Sequence, residues 1–124
     1  SNLLLEYVSD FSQHPFPEYL RLGVPVALAT DDRGMWDSTM TDEYFVAVKS
    51  FNLSWDELRL LTQNSIQYSF LGPEPKSRLL NAVDTRLLAF EKYWQTQDPK
   101  QIGALKRSPK RGFICRNYDL CERD

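Results

Sequence analysis

Two adjacent carboxylates, Asp31 and Asp32, are the residues of this sequence best suited to chemistry. They directly follow an apolar run, residues 24–30, and consecutive side chains point to opposite sides while strand geometry continues. One carboxylate could then face a metal ion and the other a bound ligand. The pair alone also fits an ordinary turn, because Asp and the nearby Gly34 both favour turns. Both interpretations are open from these residues alone.

The run that precedes the acidic pair is continuously apolar and contains no charged residue. Continuous apolarity, rather than alternation, is typical of a strand covered on both faces, as in a parallel sheet. In α/β folds the carboxyl end of such a strand is where catalytic and binding residues collect. The sequence therefore predicts an α/β fold with Asp31 and Asp32 at the end of a buried strand.

Helical patterns flank this predicted strand on both sides. Thr41 is predicted to cap a helix, and Ser54 with Glu57 matches a capping box at the start of the next. The last helix carries apolar residues at spacings of 3, 4, 3 and 4, an amphipathic stripe formed by Leu80, Val83, Leu87, Phe90 and Trp94. The predicted helices cover residues 3–12, 17–22, 42–51, 55–70 and 75–96, with a loop over 33–40.

Composition restricts the class of protein. The 124 residues are 42% hydrophobic and 26% charged, which suits one globular domain. No apolar run approaches the roughly 20 residues of a membrane helix, so we expect no membrane partner. The chain opens with Ser1 rather than Met and shows no signal segment, so we expect a processed or truncated product.

Charge is divided unevenly along the chain. Residues 1–99 hold 8 basic and 14 acidic residues, whereas residues 100–124 hold 7 basic and 3 acidic ones. An acidic body with a short basic tail is not typical of nucleic-acid-binding proteins, although a small binding protein with a basic tail is a third hypothesis. Cys115 and Cys121 fit either two free thiols or one bridge within this tail.

Six short motifs occur in a recognisable order and spacing. They are Ser1-Asn2, His14-Pro15, Gly23-Val24-Pro25-Val26, Thr30-Asp31-Asp32, Asp42-Glu43-Tyr44 and the segment 64–71. Together they resemble the C-terminal part of the adenosine deaminase family of metal-dependent aminohydrolases, over residues 1 to about 95. The resemblance implies the last βα units of a (β/α)8 TIM barrel, helix-rich here, with residues 24–30 as the eighth strand. Residues 1–97 would form this portion and residues 98–124 a basic tail.

The resemblance also implies an activity and two residue roles. The family reaction is the zinc-dependent hydrolytic deamination of adenosine or deoxyadenosine to inosine and ammonia. Asp31 would be the carboxylate ligand of the catalytic zinc and would orient its hydroxide, and Asp32 would hydrogen-bond the purine ring. AMP deaminases share the Thr30-Asp31-Asp32 signature, so the aminopurine substrate is open. Arg33 departs from the family, which usually has proline there.

The family site needs several histidines and a glutamate from earlier strands. This chain has one histidine, His14, for which we predict a local capping or packing role. The sequence thus predicts a C-terminal piece of a purine nucleoside deaminase, cytoplasmic, completed by other barrel segments or by self-association. The alternative is a truncated paralogue that serves as a non-catalytic interaction or regulatory module, so whether this chain is an enzyme is left open.

Three tryptophans, Trp36, Trp55 and Trp94, are predicted to be packing residues rather than substrate platforms. For Trp36 the substrate role stays open, since its loop follows Asp32, where the rim of a barrel's active site would be.

Overall fold

The computed structural model describes residues 2–3 and 5–100 of the chain. Five α-helices occur in this part: α1 (Phe16–Arg21), α2 (Arg33–Trp36), α3 (Met40–Phe51), α4 (Trp55–Gln67) and α5 (Pro73–Gln95). None of these helices is both long enough and apolar enough to cross a membrane. The predicted tail beyond residue 100, with Cys115 and Cys121, lies outside the described residues.

The starts of α3 and α4 are set by reciprocal capping. Ser54 Oγ accepts a hydrogen bond from the Glu57 backbone N–H at 3.2 Å, and a Glu57 carboxylate oxygen accepts from the Ser54 N–H at 2.7 Å. Thr39 and Asp42 form the same capping box at the start of α3. The prediction that Ser54 caps α4 was confirmed. The prediction that Thr41 caps α3 was wrong. Thr39 is the cap because only it has Asp42 three residues ahead.

A small core lies where α1, α3 and α4 meet. Its buried members are Phe16, Leu20, Ala47, Leu53 and Leu61. Leu61 is completely buried, so the middle of α4 lies at the centre of this core.

The amphipathic face of α5 packs on α4. Leu80, Val83, Leu87 and Trp94 are half-buried along this face, whereas Phe90 remains 49% exposed. Polar contacts add to the packing, since the Gln63 amide donates to Asp84 at 2.7 Å and Arg59 pairs with Glu91 at 3.1 Å. The predicted stripe therefore has the expected partner, although α5 contributes no fully buried residue.

Residues 24–30 differ from the prediction, because they form neither strand nor helix. Their burial nevertheless alternates: Val26, Leu28 and Thr30 are half-buried, whereas Pro25, Ala27 and Ala29 are exposed. A strand is defined by hydrogen bonds to a neighbouring strand, and the described part of the chain offers none. The alternation is that of a strand with one side covered. The predicted burial of both faces is wrong for the described residues.

Two further predictions need correction. In the predicted helix over 3–12, residue 3 and residues 5–10 form turns and bends, and the 3₁₀ helix Phe11–Gln13 follows. Glu6 has φ of 58°, which is incompatible with helical backbone. The predicted loop over 33–40 contains the single turn of α2. Both errors concern short elements, whose ends depend on local turn geometry more than on apolar periodicity.

Candidate functional site

Asp31 and Asp32 lie where the half-covered stretch 24–30 ends and α2 begins. Both residues are exposed, and their side chains take part in no hydrogen bond or ion pair with the described part of the protein. Asp32 occupies the N-cap position of α2, yet its carboxylate makes no capping hydrogen bond. The geometry thus leaves both carboxylates available for an external ligand.

The backbone at Asp31 explains how the two carboxylates come to be exposed. Asp31 has φ of 52°, in the left-handed region, and its carbonyl accepts from the Arg33 N–H at 3.1 Å. Non-glycine residues in this region are uncommon, and Asp and Asn tolerate it best. The left-handed residue redirects the chain at the end of the stretch and starts α2. Arg33 is the first residue of α2, a position where proline is also common, so the departure from the family pattern is compatible with this geometry.

Glu43 brings a third carboxyl group close to Asp31. It is half-buried in the first turn of α3. Burial raises the pKa of the Glu43 carboxyl, and the carboxylates of Asp42 and Asp31 raise it further. The Asp31 carboxylate and the Glu43 carboxyl group therefore interact electrostatically, and burial is the larger cause of the raised pKa.

His14 lies apart from this acidic group and is engaged locally. Its Nδ1 accepts a hydrogen bond from the Phe16 backbone N–H at 3.1 Å, and its Nε2 lies 2.6 Å from the Asn2 side-chain amide. The ring also packs against Phe16 and Phe51. Burial lowers the pKa of His14, which favours the neutral ring that these contacts require. The capping and packing role predicted for His14 matches this geometry.

The predicted aromatic residues are also committed to packing. Trp55 stacks on Phe90 with ring centroids 5.3 Å apart and donates from Nε1 to Glu91 at 2.6 Å, and Trp94 contacts Phe90. Tyr44, a motif residue, has its hydroxyl 2.8 Å from Thr62 Oγ1. These side chains join α3, α4 and α5, which agrees with the prediction for Trp55 and Trp94. The side chain of Trp36 lies outside the described part.

A zinc site needs more donors than these elements assemble. Catalytic zinc is usually held by three protein ligands. Among residues 2–3 and 5–100, no group of three histidine, cysteine, aspartate or glutamate side chains is positioned to hold a metal. Asp31 can supply one oxygen donor, while His14 is occupied elsewhere. The described residues therefore do not fit zinc by themselves.

Asn64 is a site residue that the sequence interpretation did not assign. Asn64 is buried in α4, whereas its neighbour Ser65 is exposed. Its amide donates to the Val26 carbonyl at 2.9 Å. The available signal was a polar residue three positions after Leu61, where helical periodicity continues the buried face.

Known proteins resemble this chain over the same residues that form the site. The adenosine deaminase family model matches residues 1–86. An adenosine deaminase of Enterococcus faecalis is 32% identical over 88 residues, covering 71% of this chain and 26% of the relative. An aminodeoxyfutalosine deaminase of Streptomyces coelicolor is 33% identical over 90 residues, covering 73% and 23%. An adenine deaminase of Aspergillus oryzae is 33% identical over 84 residues, covering 68% and 24%.

The chain spans about a quarter of the length of these curated relatives. No solved structure matches it. The family match includes the acidic pair, the stretch before it and helices α1 to α4, together with the first half of α5. This coverage confirms the resemblance inferred from the six motifs: the chain belongs to the adenosine deaminase family.

Proposed function

We propose that this chain is the C-terminal part of a hydrolytic deaminase that removes the exocyclic amine of a purine, with adenosine or deoxyadenosine as substrate and inosine and ammonia as products. The observation that carries the proposal is the state of Asp31 and Asp32. Both carboxylates are exposed and uncommitted at the end of stretch 24–30, within the residues that match the family.

The two carboxylates are proposed to have different roles. Asp31 would be a zinc ligand, supported by its exposed carboxylate at the end of stretch 24–30 and by its place within the residues that match the family. Asp32 would accept a hydrogen bond from the purine ring, because its carboxylate is not used to cap α2. A purine bound there would lie next to the metal.

The remaining zinc ligands and the catalytic glutamate would come from polypeptide other than the described residues. The family implies a TIM barrel, and Pro25, Ala27 and Ala29 form an exposed side of stretch 24–30. We propose that other barrel segments, or a second copy of this chain, cover that side and pair with its backbone. The small side chains of Ala27 and Ala29 would allow close approach. Residues 98–124 are proposed to be a basic tail outside this unit.

Adenosine is proposed rather than another aminopurine because several relatives carry that name. Other relatives are named for aminodeoxyfutalosine and adenine. Comparing these three substrates and AMP in one ammonia-release assay would identify the preferred one. Preference for a substrate other than adenosine or deoxyadenosine would contradict the substrate assignment while leaving the reaction class intact.

The two roles are separated by Asp31→Ala and Asp32→Ala in the complete deaminase. We expect Asp31→Ala to lose both zinc and activity. Asp32→Ala should keep its zinc and lose about 10- to 150-fold in kcat/KM, since a hydrogen bond to a charged group contributes about 1.5–3 kcal/mol. Asp56→Ala, an exposed aspartate in the first turn of α4, is the matched control and should retain zinc and activity.

Metal analysis and ammonia release read these outcomes directly. Full zinc occupancy in Asp31→Ala would contradict its assignment as a ligand. A complete, folded wild-type protein that neither holds zinc nor releases ammonia would favour the alternative of a non-catalytic interaction module.

A further inference from the structure

We propose that Asn64 is a positioning residue, which holds stretch 24–30 against α4 and thereby sets where Asp31 and Asp32 are presented. The functional consequence rests on the proposed deaminase activity, whereas the contact itself does not. The inference starts from a buried amide in the middle of an otherwise apolar contact.

Asn64 is 8% exposed and lies one turn after Leu61, which is fully buried. Burying an amide without a partner is costly, so a side chain at this position must find one. The partner is the Val26 backbone carbonyl, which accepts from Asn64 Nδ2 at 2.9 Å. The bond joins residues 38 positions apart and therefore ties α4 to the stretch that leads to the acidic pair.

This bond is important because few other hydrogen bonds hold the stretch. At its start, the Val24 N–H donates to the Tyr19 carbonyl at 2.9 Å. At its end, the Thr30 carbonyl lies 3.5 Å from the hydroxyl of buried Ser38. Between these ends, the Asn64 amide is the hydrogen-bonding contact to the described residues, and it meets the backbone five residues before Asp31.

The bond also selects which side of the stretch faces the core. Val26 and Leu28 pack against the core cluster, whereas Ala27 is exposed. A slip by one residue would exchange the two sides, because side chains alternate along an extended chain. The same slip would move the side chains of Asp31 and Asp32 to the opposite sides of the chain. An amide that recognises one particular carbonyl opposes such a slip, which apolar contacts alone oppose less sharply.

Gln63 provides a matched control from the neighbouring position. Gln63 is likewise an amide residue of α4, although only half-buried, and its side chain donates to Asp84 on α5. Leucine at either position removes one amide hydrogen bond and keeps a similar side-chain volume. Only the change at Asn64 releases the stretch before the acidic pair.

The contact is tested by nuclear magnetic resonance on the 124-residue chain labelled with ¹⁵N-asparagine, ¹³C-carbonyl valine and ¹³C-aspartate. Solid-state spectra serve if the chain associates. We expect the Asn64 side-chain amide protons to exchange with water about two- to tenfold more slowly than those of exposed Asn52 and Asn81, the factor set by one net hydrogen bond. Asn64→Leu should shift the Val26 carbonyl and the Asp31 and Asp32 carboxylate signals.

Two results in the isolated chain would overturn the inference. One is an Asn64 side-chain amide that exchanges as fast as that of Asn52. The other is a Gln63→Leu variant that shifts the Val26, Asp31 and Asp32 signals as much as Asn64→Leu does. Asn64→Asp, which keeps the shape and removes the amide donors, should reproduce the shifts of Asn64→Leu and guards against an effect of leucine packing.

The effect of Asn64 on catalysis is tested in the complete deaminase by measuring kcat and KM separately. Asn64→Leu should lower kcat about two- to tenfold because it displaces the proposed zinc ligand Asp31, and it should raise KM because Asp32, the proposed partner of the purine, moves with it. Gln63→Leu should change neither. Unchanged kcat in Asn64→Leu would contradict the positioning role. Absence of deamination in wild type, with the resonance results intact, would instead contradict the proposed function alone.

Discussion

The helical region α3–α5 and the stretch 24–32 are stabilised in different ways. The helices satisfy most of their own backbone hydrogen bonds, Thr39 and Ser54 cap α3 and α4, and the helices contact one another through the core and through Gln63 and Asp84. Stretch 24–32 has no regular structure until α2 begins, has one exposed side, and is held by a few side-chain contacts. Helices α3–α5, which form their backbone hydrogen bonds internally, contain neither candidate site residue. Both candidates, Asp31 and Asp32, lie in the stretch whose backbone hydrogen bonds are incomplete.

This difference separates elements that complete their own hydrogen bonds from a stretch that does not. A helix closes its hydrogen bonds within one segment, but a strand leaves them for a neighbour. An extended stretch with uncovered backbone edges is therefore the element most open to pairing with further polypeptide. The acidic pair lies at the end of that stretch, so any such pairing would act directly on its geometry.

The largest effect is expected from a cavity in the helical region. Leu61→Ala should lower the free energy of unfolding by about 2–5 kcal/mol, because it removes buried methyl groups and leaves a cavity. Leu60→Ala is the matched control, since Leu60 is the adjacent residue and 43% exposed. Denaturant unfolding followed by circular dichroism measures both. Equal losses in the two variants would show that α4 is not buried as described.

A capping change should have an intermediate effect on the same region. Ser54→Ala removes the acceptor for the Glu57 N–H and should cost about 1 kcal/mol. Ser77→Ala, at an exposed position inside α5, should change stability little, since alanine favours helix interiors. Thermal unfolding of both variants provides the measurement. A Ser54→Ala protein as stable as wild type would mean that α4 does not depend on its capping box.

A smaller, pH-dependent effect on stability is expected from Glu43, which belongs to the first turn of α3 and interacts electrostatically with Asp31. Burial raises the pKa of its carboxyl above the ordinary 4.5, so the folded protein holds this proton more tightly than the unfolded chain does. Its contribution to stability is present below that ordinary pKa and is lost as the pH rises through the raised value. Glu43→Gln cannot ionise, so its stability relative to wild type should increase over that rise.

Melting temperatures of wild type and Glu43→Gln, measured across this pH range, test the sign. The variant should be the more stable protein at neutral pH, and the difference should diminish in acid. A variant that loses stability relative to wild type as the pH rises would show that the Glu43 carboxyl is stabilised in its ionised form.

The smallest effect on stability is expected on the exposed side of the stretch. Ala27→Lys should change the unfolding free energy by no more than about 0.5 kcal/mol, because Ala27 makes no core contact. It should nevertheless reduce association of the 124-residue chain, since charged residues oppose edge pairing. Sedimentation velocity compares it with Lys49→Ala, a charge change on α3. A wild-type chain that sediments as a stable monomer would contradict the expected association.

Several elements of the fold were accessible from the sequence because their causes are local. The Ser54–Glu57 capping box and the 3-4 apolar spacing of α5 predicted helices that the structure contains within a few residues. Thr41 was chosen wrongly over Thr39, although the sequence itself places Asp42 three residues after Thr39 and a tyrosine three residues after Thr41. The 3–12 helix failed because three apolar residues at helical spacing do not prevent a left-handed residue such as Glu6.

Asp31 and Asp32 could be nominated as the candidate site from residue type and order alone. Their roles stay predictions, because roles depend on what surrounds the carboxylates. Asn64 could not be nominated in this way. An asparagine in a helix is ordinarily a surface residue, and only the approach of residues 24–30 to α4 reveals a carbonyl within its reach.

What the sequence determined by itself was helices α1, α3, α4 and α5, the amphipathic stripe of α5 and the family, since these follow from short-range periodicity and from motif order. What only the tertiary structure decided was the one-sided burial of stretch 24–30, the left-handed turn at Asp31 and the tie from Asn64 to Val26. The physical reason is distance along the chain. Contacts between residues near each other follow from local propensity, whereas a bond across 38 residues exists only after packing has brought its two groups together.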